Sequence, residues 1–300
     1  MSRRPLWRVS VATSSEAEDA VAELLASAFE QPVASYTDIE TRQTAVTTYF
    51  QQRPGWSRER WATLRAGLER IRACGLNISP GRISLTSVRR EDWAESWKRH
   101  FKPIAIGSDL LIKPSWSRLQ PRDGQAVVVL DPGLSFGTGH HPTTAFCLRQ
   151  LVARRRPRES QSLWDIGTGS GILAIAAAKL GFAPVDAFDN DPEAVRIASA
   201  NARQNRVSNR IRFFRQDLTR LSSQRPKQYS VVCANLISNL LLAERERILA
   251  RLPPGGVLIV AGILDSEFTQ VQRAYETAGL RLRASRTQRH WRSGTFAWRR

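Results

Sequence analysis

The chain contains only three cysteines in 300 residues, and none of them forms a C-x-x-C pair. Cys74, Cys147 and Cys233 lie far apart in the sequence, which argues against a disulfide framework and against a zinc site. We therefore expect reduced, buried thiols. A nucleophilic role for Cys233 is disfavoured because this residue lies within an apolar run.

Long apolar runs are also missing. None approaches the roughly 20 residues that span a bilayer, and the first residues lack the apolar stretch of a signal peptide. Together with a hydrophobic content of 42%, these absences predict a soluble, cytoplasmic protein with no membrane partner. Because 300 residues exceed the usual size of one domain, we expect two domains.

Lysine is scarce, since only five of the 45 basic residues are lysines. The formal net charge is +18, of which residues 1–88 contribute +2 and the remainder +16. This balance suggests an anionic partner such as nucleic acid. Arginine enrichment can also reflect genome composition, so a solvated basic surface and a surface that contacts RNA both remain open.

Residues 1–88 have the pattern of a small α+β domain. The predicted order is strand, helix, strand, strand, helix, strand, which suggests a ferredoxin-like fold. The strands are expected at 7–11, 33–38, 44–50 and 82–88, and the helices at 16–29 and 58–74. Residues 89–125 are rich in aromatics and prolines. We interpret them as a joining segment packed on both domains, with direct substrate contact as the alternative.

From residue 126 to residue 300, short apolar runs alternate with helical segments, which is typical of a doubly wound, parallel α/β sheet. The final stretch, Arg281–Arg300, is predicted as two further strands and carries seven arginines. The other strands are expected at 162–166, 185–189, 211–215, 230–234 and 257–260, and the helices at 172–180, 192–204 and 240–251.

A glycine-rich turn lies between a predicted strand and a predicted helix. It reads DIGTGSG from Asp165 to Gly171, and its glycines let the backbone approach a ligand closely. The dinucleotide fingerprint G-x-G-x-x-G requires glycine where this chain has Ile172, so nicotinamide or flavin binding is disfavoured. The spacing resembles motif I of class I methyltransferases. A purely structural turn is the alternative.

The resemblance to motif I implies S-adenosylmethionine as cofactor. Its ammonium, carboxylate and sulfonium suit an acid at Asp165 and the bare amides of Gly167 and Gly169. The next strand ends at Asp189, where a carboxylate can accept both ribose hydroxyls. Asp191, which precedes a proline, is better explained as a helix cap.

Two further polar residues follow predicted strands. Asn235 is expected beside the methyl group, where its amide oxygen could accept a hydrogen bond from the cofactor or from an incoming amine. A turn-forming asparagine is the alternative. Asp217 could reach the adenine or lie in solvent.

The segment 131–144 places glycines, hydroxyls and two histidines just ahead of a predicted helix. Amides and hydroxyls at a helix amino terminus suit a carboxylate. Metal binding by His140 and His141 is disfavoured because no further ligands lie at useful spacing, so no metal is expected.

Together these segments resemble the ribosomal protein L11 methyltransferase (PrmA) family. The likeness runs through residues 90–265, and its most specific part is the string FGTGHHPTT that ends at Thr144. It implies a class I methyltransferase whose S-adenosylmethionine contacts fall on Thr144, Gly167, Asp189 and Asn235. It also implies that the amino-terminal domain positions ribosomal protein L11, whose α-amine and lysine side chains are the acceptors.

Methyl transfer from a sulfonium to an amine exchanges one cation for another, so positioning can supply much of the rate. The amine must first be neutral, which costs about 4.6 kcal/mol for lysine and about 1 kcal/mol for an α-amine at pH 7. A dry pocket beside the sulfonium lowers the amine's pKa. We therefore expect no dedicated general base, with Asn235 acting by positioning.

Two other functions remain open. The positive charge after residue 88 favours an RNA methyltransferase, although the Asn-Pro-Pro-aromatic and Pro-Cys signatures are missing. A ribosome-associated binding protein with a vestigial site is the second, and the intact set of Asp165, Asp189 and Asn235 argues against it.

Overall fold

The computed structural model describes residues 6–29, 31, 33–37, 43–88, 102–131, 141–156, 158–222, 224 and 226–299. The chain forms two compact units, Met1–Phe101 and Lys102–Arg300. Of the predicted joining segment, residues 89–101 lie outside the described residues, and residues 102–125 belong to the second unit.

The amino-terminal unit is a four-stranded antiparallel sheet with two helices. Its elements are β1 (Leu6–Ser14), α1 (Glu18–Phe29), β2 (Val33–Thr37), β3 (Gln43–Phe50), α2 (Arg58–Ala73) and β4 (Arg82–Val88). The sheet order is β2-β3-β1-β4, which confirms the predicted ferredoxin-like arrangement. Val11, Leu25, Val46 and Leu64 are fully buried in the core that the two helices share with the sheet.

The second unit contains strands β5 (Ile104–Ile106), β6 (Leu110–Lys113), β7 (Ala126–Val129), β8 (Leu163–Ile166), β9 (Val185–Asp189), β10 (Ile211–Arg215), β11 (Val231–Asn235), β12 (Val257–Leu264), β13 (Leu280–Gln288) and β14 (Trp291–Trp298). A seven-stranded sheet has the order β10-β9-β8-β11-β12-β14-β13. The first five strands of that order are parallel, and β14 and β13 are antiparallel to their neighbours. The predicted α/β class is confirmed as a mixed, mostly parallel sheet.

Helices cover both faces of this sheet. They are α3 (Pro142–Ala153), α4 (Ile172–Leu180), α5 (Pro192–Gln204), α6 (Ser238–Ala243), α7 (Arg245–Leu249) and α8 (Asp265–Thr277). Buried side chains of α3, α4 and α5 form one core, to which a small sheet with the order β5-β6-β7 also contributes. Buried side chains of α6, α7 and α8 form the core on the other face. The sheet is therefore doubly wound, and its parallel strands end at one common edge.

Three predicted elements differ clearly in length from the observed ones, and the first is the strand expected at 7–11, which is observed at Leu6–Ser14. The single helix expected at 240–251 is divided at Glu244, whose buried carboxylate pairs with Arg247 at 2.5 Å. The strand expected at 257–260 continues to Leu264, because β14 pairs with it along that extension and Leu264 lies opposite Trp291. The partner strand β14 is distant in the sequence, so the local periodicity does not reveal the extension of β12.

One buried carboxylate was not singled out from the sequence. It lies near the amino-terminal end of its strand, away from the carboxyl-terminal ends of the parallel strands. Asp186 of β9 has 4% side-chain exposure and accepts from Arg212 and Lys227, each at 2.9 Å, and from the hydroxyl of Tyr229. Burial opposes its ionisation, but the hydrogen bonds from these three side chains outweigh that effect and lower its pKa. The cluster joins β9, β10 and the residues ahead of β11.

We expect Asp186→Asn to lower the free energy of unfolding at pH 7 by about 1–3 kcal/mol, since it leaves the partners of a buried charge unsatisfied. The folded pKa of Asp186 lies below the unfolded value of about 3.9, so its stabilisation is present above that pH and is lost as the pH falls further. Urea denaturation at several pH values should show that the free energy of unfolding of the variant falls less steeply than that of the parent as the pH is lowered into the acid range. Glu193→Gln, which breaks an exposed pair with Arg196, serves as control and should change little. If Asp186→Asn and the parent lost stability equally steeply at low pH, Asp186 would not be the source of this pH dependence.

Candidate functional site

The glycine loop connects the end of β8 to α4. Gly167, Gly169 and Gly171 have positive φ angles of 67°, 53° and 81°, a conformation that other residues rarely adopt. A Cβ atom on Gly171 would lie 2.9 Å from the Cβ of Ala198 in α5. The predicted strand, turn and helix are therefore present, and the turn lies at the carboxyl end of β8 with Gly167 and Gly169 partly exposed.

Asp165, the first residue of the motif, is buried below the loop at 1% exposure. Its Oδ2 accepts a hydrogen bond from the Thr168 hydroxyl at 2.7 Å, while Oδ1 is buried and forms no hydrogen bond with any described residue. Burial raises the pKa of Asp165 to about 6. The carboxylate thus holds the loop from beneath and keeps one oxygen unpaired.

Asp189, the last residue of the neighbouring strand β9, accepts a hydrogen bond from the glycine loop. Its Oδ2 accepts from the amide of Gly169 at 3.0 Å, and its Oδ1 accepts from the amide of Asp191 at 3.1 Å. The Thr168 amide also donates to the Phe188 carbonyl at 3.0 Å. The ends of β8 and β9 are therefore joined through the predicted ribose ligand, whose oxygens each retain a lone pair for a further donor.

The other two aspartates near these strand ends are caps. Asp191 is the N-cap of α5, with its side chain accepting from the Glu193 amide at 2.8 Å and Pro192 in the first turn, which confirms the sequence prediction. Asp217 accepts from the amide and hydroxyl of Thr219 at 2.9 and 2.8 Å, and so caps a short 3-10 helix.

Asn235 is the last residue of β11, the strand next to β8 on the side away from β9. The following residue, Leu236, places its side chain against the glycine loop, where a Cβ on Gly167 would lie 2.7 Å from Leu236 Cδ2. On the other side, a Cβ on Gly262 would lie 3.1 Å from Asn235 Oδ1 and 2.8 Å from the Leu236 carbonyl oxygen. Gly262 thus lies against the Asn235 side chain and Leu236 lies against the glycine loop, and neither residue was assigned to the site from the sequence.

The first turn of α3 contains Thr144, whose hydroxyl is buried and forms no hydrogen bond with any described residue. His141 is the N-cap residue of α3; its Nδ1 lies 2.7 Å from the Thr143 hydroxyl, and its ring contacts Trp291 at 5.2 Å between centroids. Residues 132–140, including the predicted glycines and His140, lie outside the described residues. The structure therefore describes only the end of the predicted string.

The cysteines take no part in this arrangement. Cys147 and Cys233 are buried, and burial raises the pKa of both thiols, so neither has the thiolate character that a nucleophile needs. Cys74 is exposed, and the expectation that all three thiols are buried is wrong there because Cys74 follows the last turn of α2 at the surface.

The described residues contain no group of three or more His, Cys, Asp and Glu side chains arranged to hold a metal ion. No helix in the described part of the chain combines the length and apolar character that a membrane span requires. The site is thus composed of a glycine loop, two carboxylates, an amide and a buried hydroxyl.

The sequence matches the model of the family "Ribosomal protein L11 methyltransferase (PrmA)" over residues 5–297. It is 44% identical over 218 residues to the ribosomal protein L11 methyltransferase of Trichlorobacter lovleyi, covering 71% of this chain and 70% of that protein. The corresponding protein of Pelotomaculum thermopropionicum is 40% identical over 216 residues, covering 71% and 68%.

Among solved structures, the chain resembles the crystal structure of ribosomal protein L11 methylase from Lactobacillus delbrueckii subsp. bulgaricus. The TM-score is 0.59 and the identity 27%, over 67% of this chain and 100% of that one. The family match extends over both units of the fold and includes the strand ends that form the candidate site. The chain therefore belongs to the ribosomal protein L11 methyltransferase family.

Proposed function

We propose that the protein transfers methyl groups from S-adenosylmethionine to amines of ribosomal protein L11. The observation that carries this proposal is the convergence of the glycine loop, Asp189 and Asn235 at the ends of three adjacent parallel strands in a chain of this family. Ligands of open α/β sheets bind outside the carboxyl ends of the strands.

The residues fit this cofactor. Asp189 would accept the ribose hydroxyls while still accepting from the Gly169 amide. That bond occupies the Gly169 amide, so the amide of Gly167 is the one that would face the bound molecule. Two buried oxygens lack partners within the described structure, Asp165 Oδ1 and Thr144 Oγ1. The first suits an ammonium group and the second suits a carboxylate, either directly or through water.

When bound, S-adenosylmethionine supplies an electrophilic methyl group on its sulfonium. Asn235 would orient the acceptor amine through its amide oxygen, which can accept from a neutral amine that still carries hydrogen. No described histidine or carboxylate is required to remove the proton, because exclusion of water beside a sulfonium favours the neutral amine. The chain's own contribution is therefore positioning.

A cavity in the amino-terminal unit supports a role for this unit in binding the protein substrate. An open cavity of about 680 Å³ in this unit is lined by Ala28, Gly55, Trp56, Ser57, Glu59, Arg60 and Thr63. Trp56 stacks on Phe29 at 6.2 Å, and the Arg60 guanidinium lies over the same ring at 5.4 Å. Aromatic and arginine side chains are enriched where proteins bind proteins.

The direct test uses methyl-labelled S-adenosylmethionine and a ribosomal extract that lacks this methylation. We expect label in ribosomal protein L11, on lysine side chains or the α-amine, located by mass spectrometry of peptides. Label that resists protease and is found only in RNA would contradict the proposal and favour an RNA methyltransferase. Failure to bind S-adenosylmethionine in calorimetry would favour a binding protein with a vestigial site.

Asn235→Ala is expected to reduce turnover about 10- to 100-fold with both substrates saturating, because the variant loses the hydrogen bond that orients the amine. Single-turnover methyl transfer measures this effect. Asn239→Ala is the matched control, since Asn239 lies one turn further on and is exposed; its turnover should match that of the parent. Unchanged turnover in Asn235→Ala would show that this residue does not position the amine.

A further inference from the structure

The outer edge of the seven-stranded sheet carries arginines that methyl transfer does not use. β13 is the edge strand, and Arg281, Arg283 and Arg286 on it are exposed. No aspartate or glutamate occurs in the sequence after Glu276. The last strands of the fold thus contain positive charge without acidic residues of their own.

Two of these arginines lie on the face of the sheet that α3 covers. The Thr295 hydroxyl of β14 donates to Gln150 of α3 at 3.0 Å, so Thr295 faces that helix. Arg281 and Arg286 pair with the residues two positions on either side of Thr295. Since directly paired residues of adjacent strands share a face, both arginines point to the α3 side.

Arginines at the carboxyl-terminal end of α3 extend the charge. Arg149 Nη2 and Arg154 Nε are buried and form no hydrogen bond with any described residue. Burial and the charge of Arg286 lower the pKa of Arg149, and burial with the charges of Arg156 and Arg283 lowers that of Arg154. The guanidinium groups of the helix and the strand are therefore close enough to repel each other.

We define the arginine face as Arg149, Arg154, Arg281, Arg283 and Arg286. Within the described part of the chain none of the five forms a salt bridge with a carboxylate. Guanidinium groups remain charged at neutral pH, so their mutual repulsion persists until an anion is bound. Arg281 to Arg286 span about 17 Å of extended strand, which is longer than a single phosphate group and suits a linear polyanion.

We propose that the arginine face binds the phosphate backbone of RNA. The planar guanidinium group can form bidentate hydrogen bonds with two phosphate oxygens. The exposed positions of β13 include no large apolar side chain, whereas binding at a membrane surface requires an apolar face beside the basic one. Because the surface consists of a strand edge and a helix end, it contacts backbone charge and carries little sequence preference.

The test is fluorescence anisotropy with a labelled single-stranded 30-nucleotide RNA at several salt concentrations. The variant Arg281→Gln/Arg283→Gln/Arg286→Gln is expected to bind about 10- to 100-fold more weakly, and the slope of log K against log salt should fall by about 2, at roughly 0.7 per lost contact. The control variant Arg58→Gln/Arg70→Gln/Arg82→Gln removes three exposed arginines of the other unit. It should bind RNA as the parent does.

Several results would overturn the proposal. These are equal RNA binding by the triple variant and the parent, an equal loss in the control variant, and binding of polyglutamate or anionic vesicles as tight as that of RNA. Unchanged RNA binding combined with self-association of the triple variant would assign the arginines to protection of an exposed strand edge. Methyl transfer to free ribosomal protein L11 is measured in parallel and should be unchanged, so failure of this proposal is distinct from failure of the proposed methyltransferase activity.

Discussion

Asp189→Asn is expected to weaken S-adenosylmethionine binding by about 2–4 kcal/mol, or roughly 30- to 700-fold. The carboxylate accepts from the amides of Gly169 and Asp191 with separate oxygens. Asparagine offers one oxygen and one NH₂ group, so one backbone donor faces another donor. The proposed bonds to the ribose hydroxyls weaken at the same time because they lose a charged acceptor. Titration calorimetry measures the affinity.

Asp191→Ser is the matched control for this result. It also removes one negative charge beside the loop, but it keeps a side-chain oxygen that can cap α5. It also leaves intact the hydrogen bond from the backbone amide of residue 191 to Asp189. The affinity of this variant for S-adenosylmethionine should stay within about twofold of that of the parent, because the loss of an exposed charge has a small effect. Thermal unfolding without cofactor separates a folding defect from a binding defect. Parental affinity in folded Asp189→Asn would show that Asp189 is not the ribose ligand.

Gly262→Ala is expected to lower the rate of methyl transfer about 100-fold and to destabilise the fold. Its φ of +80° strains any residue with a side chain, and the added Cβ would lie 2.8 Å from the Leu236 carbonyl oxygen and 3.1 Å from Asn235 Oδ1. Relief of these contacts moves Asn235, and a displacement of about 1 Å in a positioning group can cost about 100-fold in rate. Single-turnover kinetics with saturating cofactor measures the effect.

Gly255→Ala separates backbone strain from displacement of Asn235. Gly255 lies just before the same strand and has a nearly identical φ of +81°, but a Cβ there meets nothing within 4 Å. We expect this variant to lose about 1–2 kcal/mol of stability and to retain the parental rate. If both variants transferred methyl groups at the same rate, the close approach at Gly262 would have no role in positioning.

Much of the fold could be predicted because its signals are local. The strands that end at Asp189 and Arg215 and the helices α4 and α5 have the predicted limits, since each joins a short apolar run or a periodic segment to a clear breaker. The cap at Asp191 was predictable for the same reason, because aspartate before proline favours a helix start. Local chemistry decided these elements.

Other features depend on residues far apart in the sequence. The extension of β12 requires β14, and the buried state of Asp186 requires Arg212, Lys227 and Tyr229. The same is true of the exposed Cys74, whose surface position follows from how α2 packs. A periodicity measured over about a dozen residues contains no information on such partners.

The amino-acid sequence by itself determined the glycine loop, the acid that follows the next strand and the family resemblance, because φ preferences, apolar spacing and motif identity are properties of short segments. Only the tertiary structure decided that Gly262 lies against Asn235, that Leu236 lies against the glycine loop, and that Arg149 and Arg154 lie near the arginines of β13. These arrangements arise from strand order and helix packing. Both minimise exposed apolar area over the whole unit, a quantity that no local segment specifies.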